Sequence, residues 1–179
     1  MRVIAGSCRG RLLRAPAGTV TRPTSDRVRE AIFDVLGSLV DLEGMSVADL
    51  FAGSGAMGIE ALSRGAASTV FVEDAPAAVR SIRDNLATLG IEDRARVVRE
   101  DVLLFLDRPH QFDLALCDPP YEFGSWDRVL GSLHATMAVL ESRRPVEIPA
   151  GWEVVRNKRY GGTLVTVVRS LGAHEKGTR

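Results

Sequence analysis

Four places in the chain carry residue types whose spacing could do chemistry. "DLFAGSGAMG", residues 49–58, sets Gly53, Gly55 and Gly58 where an apolar run breaks. Glu73 closes the run "TVFVE" twenty residues after Gly53. Asp101 closes "ARVVRED". "LALCDPPYEFGSW", residues 114–126, stops an apolar run on Asp118, follows with Pro119 and Pro120, and adds Tyr121, Phe123 and Trp126.

Each place suits part of a ligand. Glycines at a strand-to-helix turn let backbone N–H groups approach a bound molecule. Read literally, residues 53–58 are the GxGxxG dinucleotide fingerprint, which alone also fits an unliganded tight turn. An acid about 20 residues on accepts hydrogen bonds from ribose hydroxyls. The pair therefore points to a nucleoside, in a nicotinamide dinucleotide or in S-adenosylmethionine. Asp101 can accept from an adenine amine or simply cap the helix that follows. The fourth place separates the two ligands. Hydride transfer has no use for Asp-Pro-Pro-Tyr, whereas methylation of a planar amine does. The Asp118 carboxylate and the Pro119 carbonyl can take the amine N–H groups and help localise its lone pair. Pro119 and Pro120 stiffen the backbone, and Tyr121 can stack on a base.

The elements that must position these residues alternate. "SVADLFA", "STVFVED", "ARVVRED", "FDLALCD" and "MAVLE" read as strands. Between them fall helices through Leu62, over 77–90, over 102–106 and over 125–135. "GWEVVRNKRY" and "TLVTVVRS", joined by Gly161-Gly162, form a terminal antiparallel hairpin. Residues 2–14 form a small basic hairpin. The helix from Thr24 or Ser25 buries Val28, Ile32, Val35, Leu36 and Leu39, with Arg27, Arg29 and Glu30 off that stripe. The expected fold is α/β, Rossmann-like and doubly wound, with a seven-stranded, mostly parallel sheet. The expected divisions are hairpin and loop at 1–23, one domain at 24–170 and a polar tail at 171–179. In such sheets ligands bind at the carboxyl ends of the strands, so the four places fall on one rim.

The 179 residues carry 23 basic and 23 acidic groups, and the balance hides a pattern. Residues 1–30 have seven Arg against two acids, residues 143–179 have eight Lys or Arg against three, and residues 31–142 have eight Arg against eighteen. Basic ends around an acidic centre suit phosphates. Arg156, Lys158 and Arg159 alternate imperfectly and read as surface decoration. Cys8 and Cys117 match no metal or redox spacing. No apolar run reaches the roughly 20 residues of a membrane span, and no secretory signal is evident, so a cytoplasmic protein is expected. A monomer without metal is a separate expectation.

Taken together, "DLFAGSGAMGIEALSRG", "VFVED", Asp101 and "DPPY" resemble the class I S-adenosylmethionine-dependent methyltransferases that act on exocyclic amines. With "TRPTSDRVREAIFDVL", 21–36, behind a basic hairpin, the chain is similar to the RsmD family, bacterial 16S ribosomal RNA guanine-N2 methyltransferases, over residues 2–170. The link from Trp126 to "MAVLE" is shorter than that family's usual helix and turn. The resemblance implies S-adenosyl-L-methionine as cofactor and 16S rRNA or the small ribosomal subunit as partner. Phe51, Ala52, Gly53, Ser54 and Gly55 would pass beneath the methionine part, Glu73 would take the ribose hydroxyls, Asp101 with the backbone of Val102 the adenine, and Asp49 and Asp74 would also belong to the cofactor site. Asp118 borders the cofactor and, with Pro119, Pro120 and Tyr121, forms the catalytic stretch. Arg22, Thr24 and Arg27 would line the rim, and Arg2, Arg9, Arg11 and Arg14 would meet RNA backbone.

Overall fold

The computed structural model describes residues 1–16, 26–120 and 122–172. Its elements run α1 (Asp26–Leu39), β1 (Ser46–Leu50), α2 (Ala56–Ser63), β2 (Ser68–Glu73), α3 (Pro76–Leu89), β3 (Ala95–Arg99), α4 (Val102–Leu106), β4 (Phe112–Cys117), α5 (Trp126–Ser132), β5 (Ala135–Ser142), β6 (Trp152–Tyr160) and β7 (Thr163–Ser170). They build one seven-stranded sheet in the order β3-β2-β1-β4-β5-β7-β6. The pairs among β1 to β5 are parallel, and β7 is antiparallel to both β5 and β6. This is the Rossmann-like, mostly parallel α/β sheet that the alternating pattern predicts.

Burial on both faces explains the near-continuous apolar strands. On one face Ile32, Phe33 and Leu36 of α1 and Met57 and Ala61 of α2 pack on Val47, Leu114, Leu116, Val139, Val165 and Val167. There α3 joins through Ile82 and Leu86 against Phe71. On the other face Val102 and Phe105 of α4 and Val129 and Leu130 of α5 cover Leu50, Val72, Ala115, Cys117 and Leu140. Fully burying one such side chain contributes roughly 1.5–3 kcal/mol. The joint between α2 and the sheet is close: a Cβ at Gly58 would sit 2.4 Å from Phe71 and 2.9 Å from an oxygen of Asp49, so only glycine fits.

Three expectations are corrected. The helix expected over 125–135 ends at Ser132, and β5 starts at Ala135. Phe112 N–H donates to the His134 carbonyl at 3.0 Å, so pairing with β4 extends the strand toward its start. The amino-terminal hairpin holds a single bridge, Arg2 with Leu12, because its turn docks on the protein: Ser7 N–H donates to the Ser63 carbonyl at 2.8 Å, and Cys8 N–H to Ser63 Oγ at 2.9 Å. Val3, Cys8 and Leu13 share one buried cluster with α2 and α3.

The third concerns Arg29, which lies off the apolar stripe of α1 yet is fully buried. The hairpin covers it. Its guanidinium donates to the Arg2 carbonyl and to Asp26 Oδ1, and lies 3.9 Å from Glu60. Glu60, also fully buried, accepts from Ile4 N–H at 2.8 Å, Ala5 N–H at 3.0 Å and Arg64 Nε at 2.8 Å. A buried charge needs such partners, and removing one typically costs about 3–5 kcal/mol.

Candidate active site

The order of strands reverses between β1 and β4, which are neighbours paired Leu50 with Cys117. Crevices at such a switch point bind ligands. Gly53 and Asp118 therefore leave adjacent strands on the same rim.

The chain after β1 turns sharply. Phe51 has φ of 62°, the left-handed region that costs a non-glycine residue about 1–2 kcal/mol. Gly53 and Gly55 follow at φ 56° and 78°, where glycine carries no such cost. Ala52 N–H donates to the Val72 carbonyl at 3.1 Å, and Gly55 N–H to the Ala52 carbonyl at 2.7 Å. Gly53 N–H donates to Glu73 Oε2 at 2.8 Å, and Ala75 N–H to Glu73 Oε1 at 2.9 Å. Glu73 thus fixes the glycine turn and the next connection together. Burial raises its pKa above 4.5, the two N–H groups oppose the rise, and neighbouring Asp74 adds to it.

Asp49 points inward. It is 2% exposed, and its Oδ2 accepts from Gly58 N–H at 2.8 Å. Burial raises its pKa well above the usual carboxylate range, and Asp118 and Glu73 push the same way. An internal carboxylate thus already uses an N–H in the first turn of α2. Asp101 caps α4: its Oδ1 accepts from Leu103 N–H at 2.8 Å and Leu104 N–H at 3.2 Å. Both bonds use one oxygen, Oδ1, and the residue is exposed.

These positions test the two ligands left open by the glycine motif. Glu73, Asp74 and Asp118 set acidic groups beside the turn, with Asp49 buried next to Glu73 and Asp118. That lining suits the positive centre of a sulfonium nucleoside better than a pyrophosphate.

Asp118 is half-buried, Pro119 buried and Pro120 exposed. Phe123 N–H donates to the Pro120 carbonyl at 2.9 Å. The Phe123 ring meets Phe51 at 5.0 Å between centroids and Trp126 at 5.4 Å, both edge-to-face. An aromatic row thus joins the connection after β4 to the turn after β1. Cys117, 2% exposed, has its thiol pushed up by burial, which leaves it a core residue rather than a nucleophile.

The arginines of the hairpin are less free than their charge suggests. Arg2 donates to the Gly10 carbonyl and Arg11 to the Thr88 carbonyl. Arg14 is held by its backbone: its N–H donates to Asn85 Oδ1 at 2.8 Å, and its carbonyl accepts from Ser81 and Asn85. Arg9 is exposed in the turn docked on Ser63, the far end of α2 from Gly55. Arg27 is exposed in the first turn of α1. Arg22, Thr24 and Tyr121 lie outside the described residues.

One supporting residue had no role in the sequence reading. Asn85 Nδ2 donates to the Ser54 carbonyl and to the Arg14 carbonyl, both at 3.0 Å. It ties the glycine turn to the exit of the hairpin. Its only signal is the polar pair Ser81 and Asn85 beside the apolar stripe of α3, four residues apart.

Comparisons with known proteins show the family. The family model described as "Conserved hypothetical protein 95" matches residues 1–169. The Escherichia coli K12 protein named ribosomal RNA small subunit methyltransferase D is 37% identical over 175 residues, covering 90% of this chain and 85% of its own. This chain belongs to the RsmD family. Another relative of this RsmD-family chain, YlbH of Bacillus subtilis, is 38% identical over 186 residues, covering 96% of this chain and all of its own. The solved structure of the Escherichia coli protein yhhF superposes with a TM-score of 0.84 at 34% identity, covering 95% of this chain and 97% of that one. This RsmD-family chain is a methyltransferase.

Proposed function

We propose that this methyltransferase moves the methyl group of S-adenosyl-L-methionine to the exocyclic N2 amine of a guanine in the 16S rRNA of the small ribosomal subunit, in the cytoplasm. The observation that carries the reading is the adjacency of β1 and β4, which sets Asp118-Pro119 beside the glycine turn and its acidic groups. The name of the Escherichia coli relative supports small-subunit RNA as substrate. The Asp-Pro-Pro-Tyr stretch supports a planar amine, and the guanine follows from the RsmD resemblance.

The bound cofactor supplies an activated methyl on a sulfonium. The chain's own residues position. Glu73 takes the ribose hydroxyls with lone pairs that its two N–H donors leave unused. Asp101 Oδ2 takes the adenine amine, beside the backbone of Val102. Phe51 to Gly55 shape the floor under the methionine part. The target base leaves its stack and enters over Asp118 to Tyr121. Asp118 and the Pro119 carbonyl accept the N–H groups of the amine and hold its lone pair in line with the methyl. Alignment of this kind supplies about 7–11 kcal/mol of a barrier. Burial keeps Cys117 a thiol, consistent with direct displacement and no covalent enzyme intermediate.

The test is methyl transfer from labelled cofactor to small subunits from cells lacking this protein. Digestion to nucleosides should give label in N2-methylguanosine at one mapped position. Label in methyladenosine, in DNA or in protein would overturn the substrate while leaving the amine chemistry intact.

A further inference from the structure

The second basic stretch ends on the rim. Residues 143–160 carry Arg143, Arg144, Arg156, Lys158 and Arg159 against Glu147 and Glu153. Because β7 is antiparallel to both β5 and β6, β6 runs in the direction of β5 and ends on the same rim as β1 to β5. The register fixes the height. Cys117 pairs with Leu140, so Asp118 is level with Glu141; Glu141 pairs with Val165, and Val165 with Lys158. Lys158 is thus level with Asp118, three strand spacings away, or about 14 Å. Arg159 stands one residue higher, and Arg144 follows the end of β5 on the same rim.

These cations are displayed. Arg144, Arg156, Lys158 and Arg159 are exposed, and among the described residues none pairs with a carboxylate. Arg159 donates to the Arg143 carbonyl, which ties the two segments together. Lys158 Nζ lies 5.2 Å from the Tyr160 ring centre. The opposite end of β6 differs: there Glu153 neutralises Arg169 at 3.4 Å, and Val154 is 50% exposed. Cations that served only to protect a sheet edge would guard Val154 too. Instead the unpaired charge gathers at the rim end.

We infer that the rim ends of β5 and β6, with Arg144, Lys158 and Arg159, hold the phosphate backbone of the RNA strand that flanks the target nucleotide. The inference rests on RNA being the substrate. The strand leaves the base over Asp118 and runs across β5 and β7 to β6. Exposed cations at this height are charge-complementary to phosphates and carry no base specificity.

The test is the salt dependence of binding to a single-stranded fragment of small-subunit rRNA, with methylation kinetics in parallel. Each phosphate contact contributes about 0.7 to the slope of log K against log salt. The triple substitution R144A/K158A/R159A should lower the slope by about 2. It should raise KM for RNA with little change in kcat, and leave cofactor affinity and Tm unaltered. R144K/R159K should keep the slope, since charge suffices. A triple variant that binds and methylates RNA like the wild type would overturn the surface while the RNA reading stands. Failure of the wild-type protein itself to bind or methylate both the fragment and small subunits would overturn both.

Discussion

The two halves of the rim are built from different materials. Above β1 to β3, backbone N–H groups are pinned by internal side chains: Glu73 holds Gly53 and Ala75, Asp49 holds Gly58, and Asp101 holds Leu103 and Leu104. Above β4, the chain is held by Pro119, Pro120 and edge-to-face rings. The first half is fixed before a ligand arrives, which suits a small molecule of constant shape. The second depends on stiff residues and ring contacts, which suits a base delivered by a large partner. The aromatic contact from Phe51 to Phe123 is where the halves meet.

The largest effect should come from the buried charges beneath the cofactor half. Glu60→Ala leaves Arg29 buried with only Asp26 as a carboxylate partner, strips acceptors from Ile4 and Ala5, and unpairs Arg64. Urea unfolding should show a loss of about 3–5 kcal/mol. A smaller loss would mean that the hairpin is docked by Val3 and Leu13 alone.

Asp118→Ala comes next. Its methyl transfer should fall by about 10²–10³, the cost of losing one positioned transition-state partner. Cofactor affinity should change little, and Asp118→Asn should retain far more activity than Ala. Equal and complete loss in both variants would assign Asp118 to proton acceptance rather than orientation.

Glu73 separates the halves by pH. Its pKa is raised in the folded protein, so the penalty for ionising it is absent below 4.5 and complete above the raised value. Stability without ligand should therefore fall as pH rises through that window. Cofactor affinity should move oppositely and weaken on acidification toward 4.5, as the acceptor charge is lost. Calorimetric titration reads it, and Glu73→Gln should flatten the profile. RNA affinity should not follow the same curve.

The smallest effect should appear at Phe51. Glycine relieves about 1–2 kcal/mol of left-handed backbone cost but forfeits a ring pair worth about 0.5–1.5 kcal/mol. Phe51→Gly should thus stay near wild-type stability, while Phe51→Ala, which loses the ring and keeps the strain, should be clearly less stable. Equal losses in urea would show that the backbone cost is not what the rings offset.

The sequence by itself determined the alternation of strands and helices, the parallel sheet, and the four points on its rim. Those follow from short-range rules: period-two and continuous apolar runs, glycines at a turn, and an acid or a proline at a strand end. Asp101 was open between cap and ligand, and the structure shows the cap. Only the tertiary structure decided the fate of charges. Arg29 lies off the apolar stripe of α1, yet a hairpin distant in sequence buries it against Glu60. Asn85 gains its role only because Ser54 and Arg14 meet at its amide. Lys158 and Arg159 read as decoration until strand register set Lys158 level with Asp118 and Arg159 one residue above it. A charge's local pattern reports its neighbours along the chain, while its energy depends on what folds over it, and that depends on contacts between residues far apart in sequence.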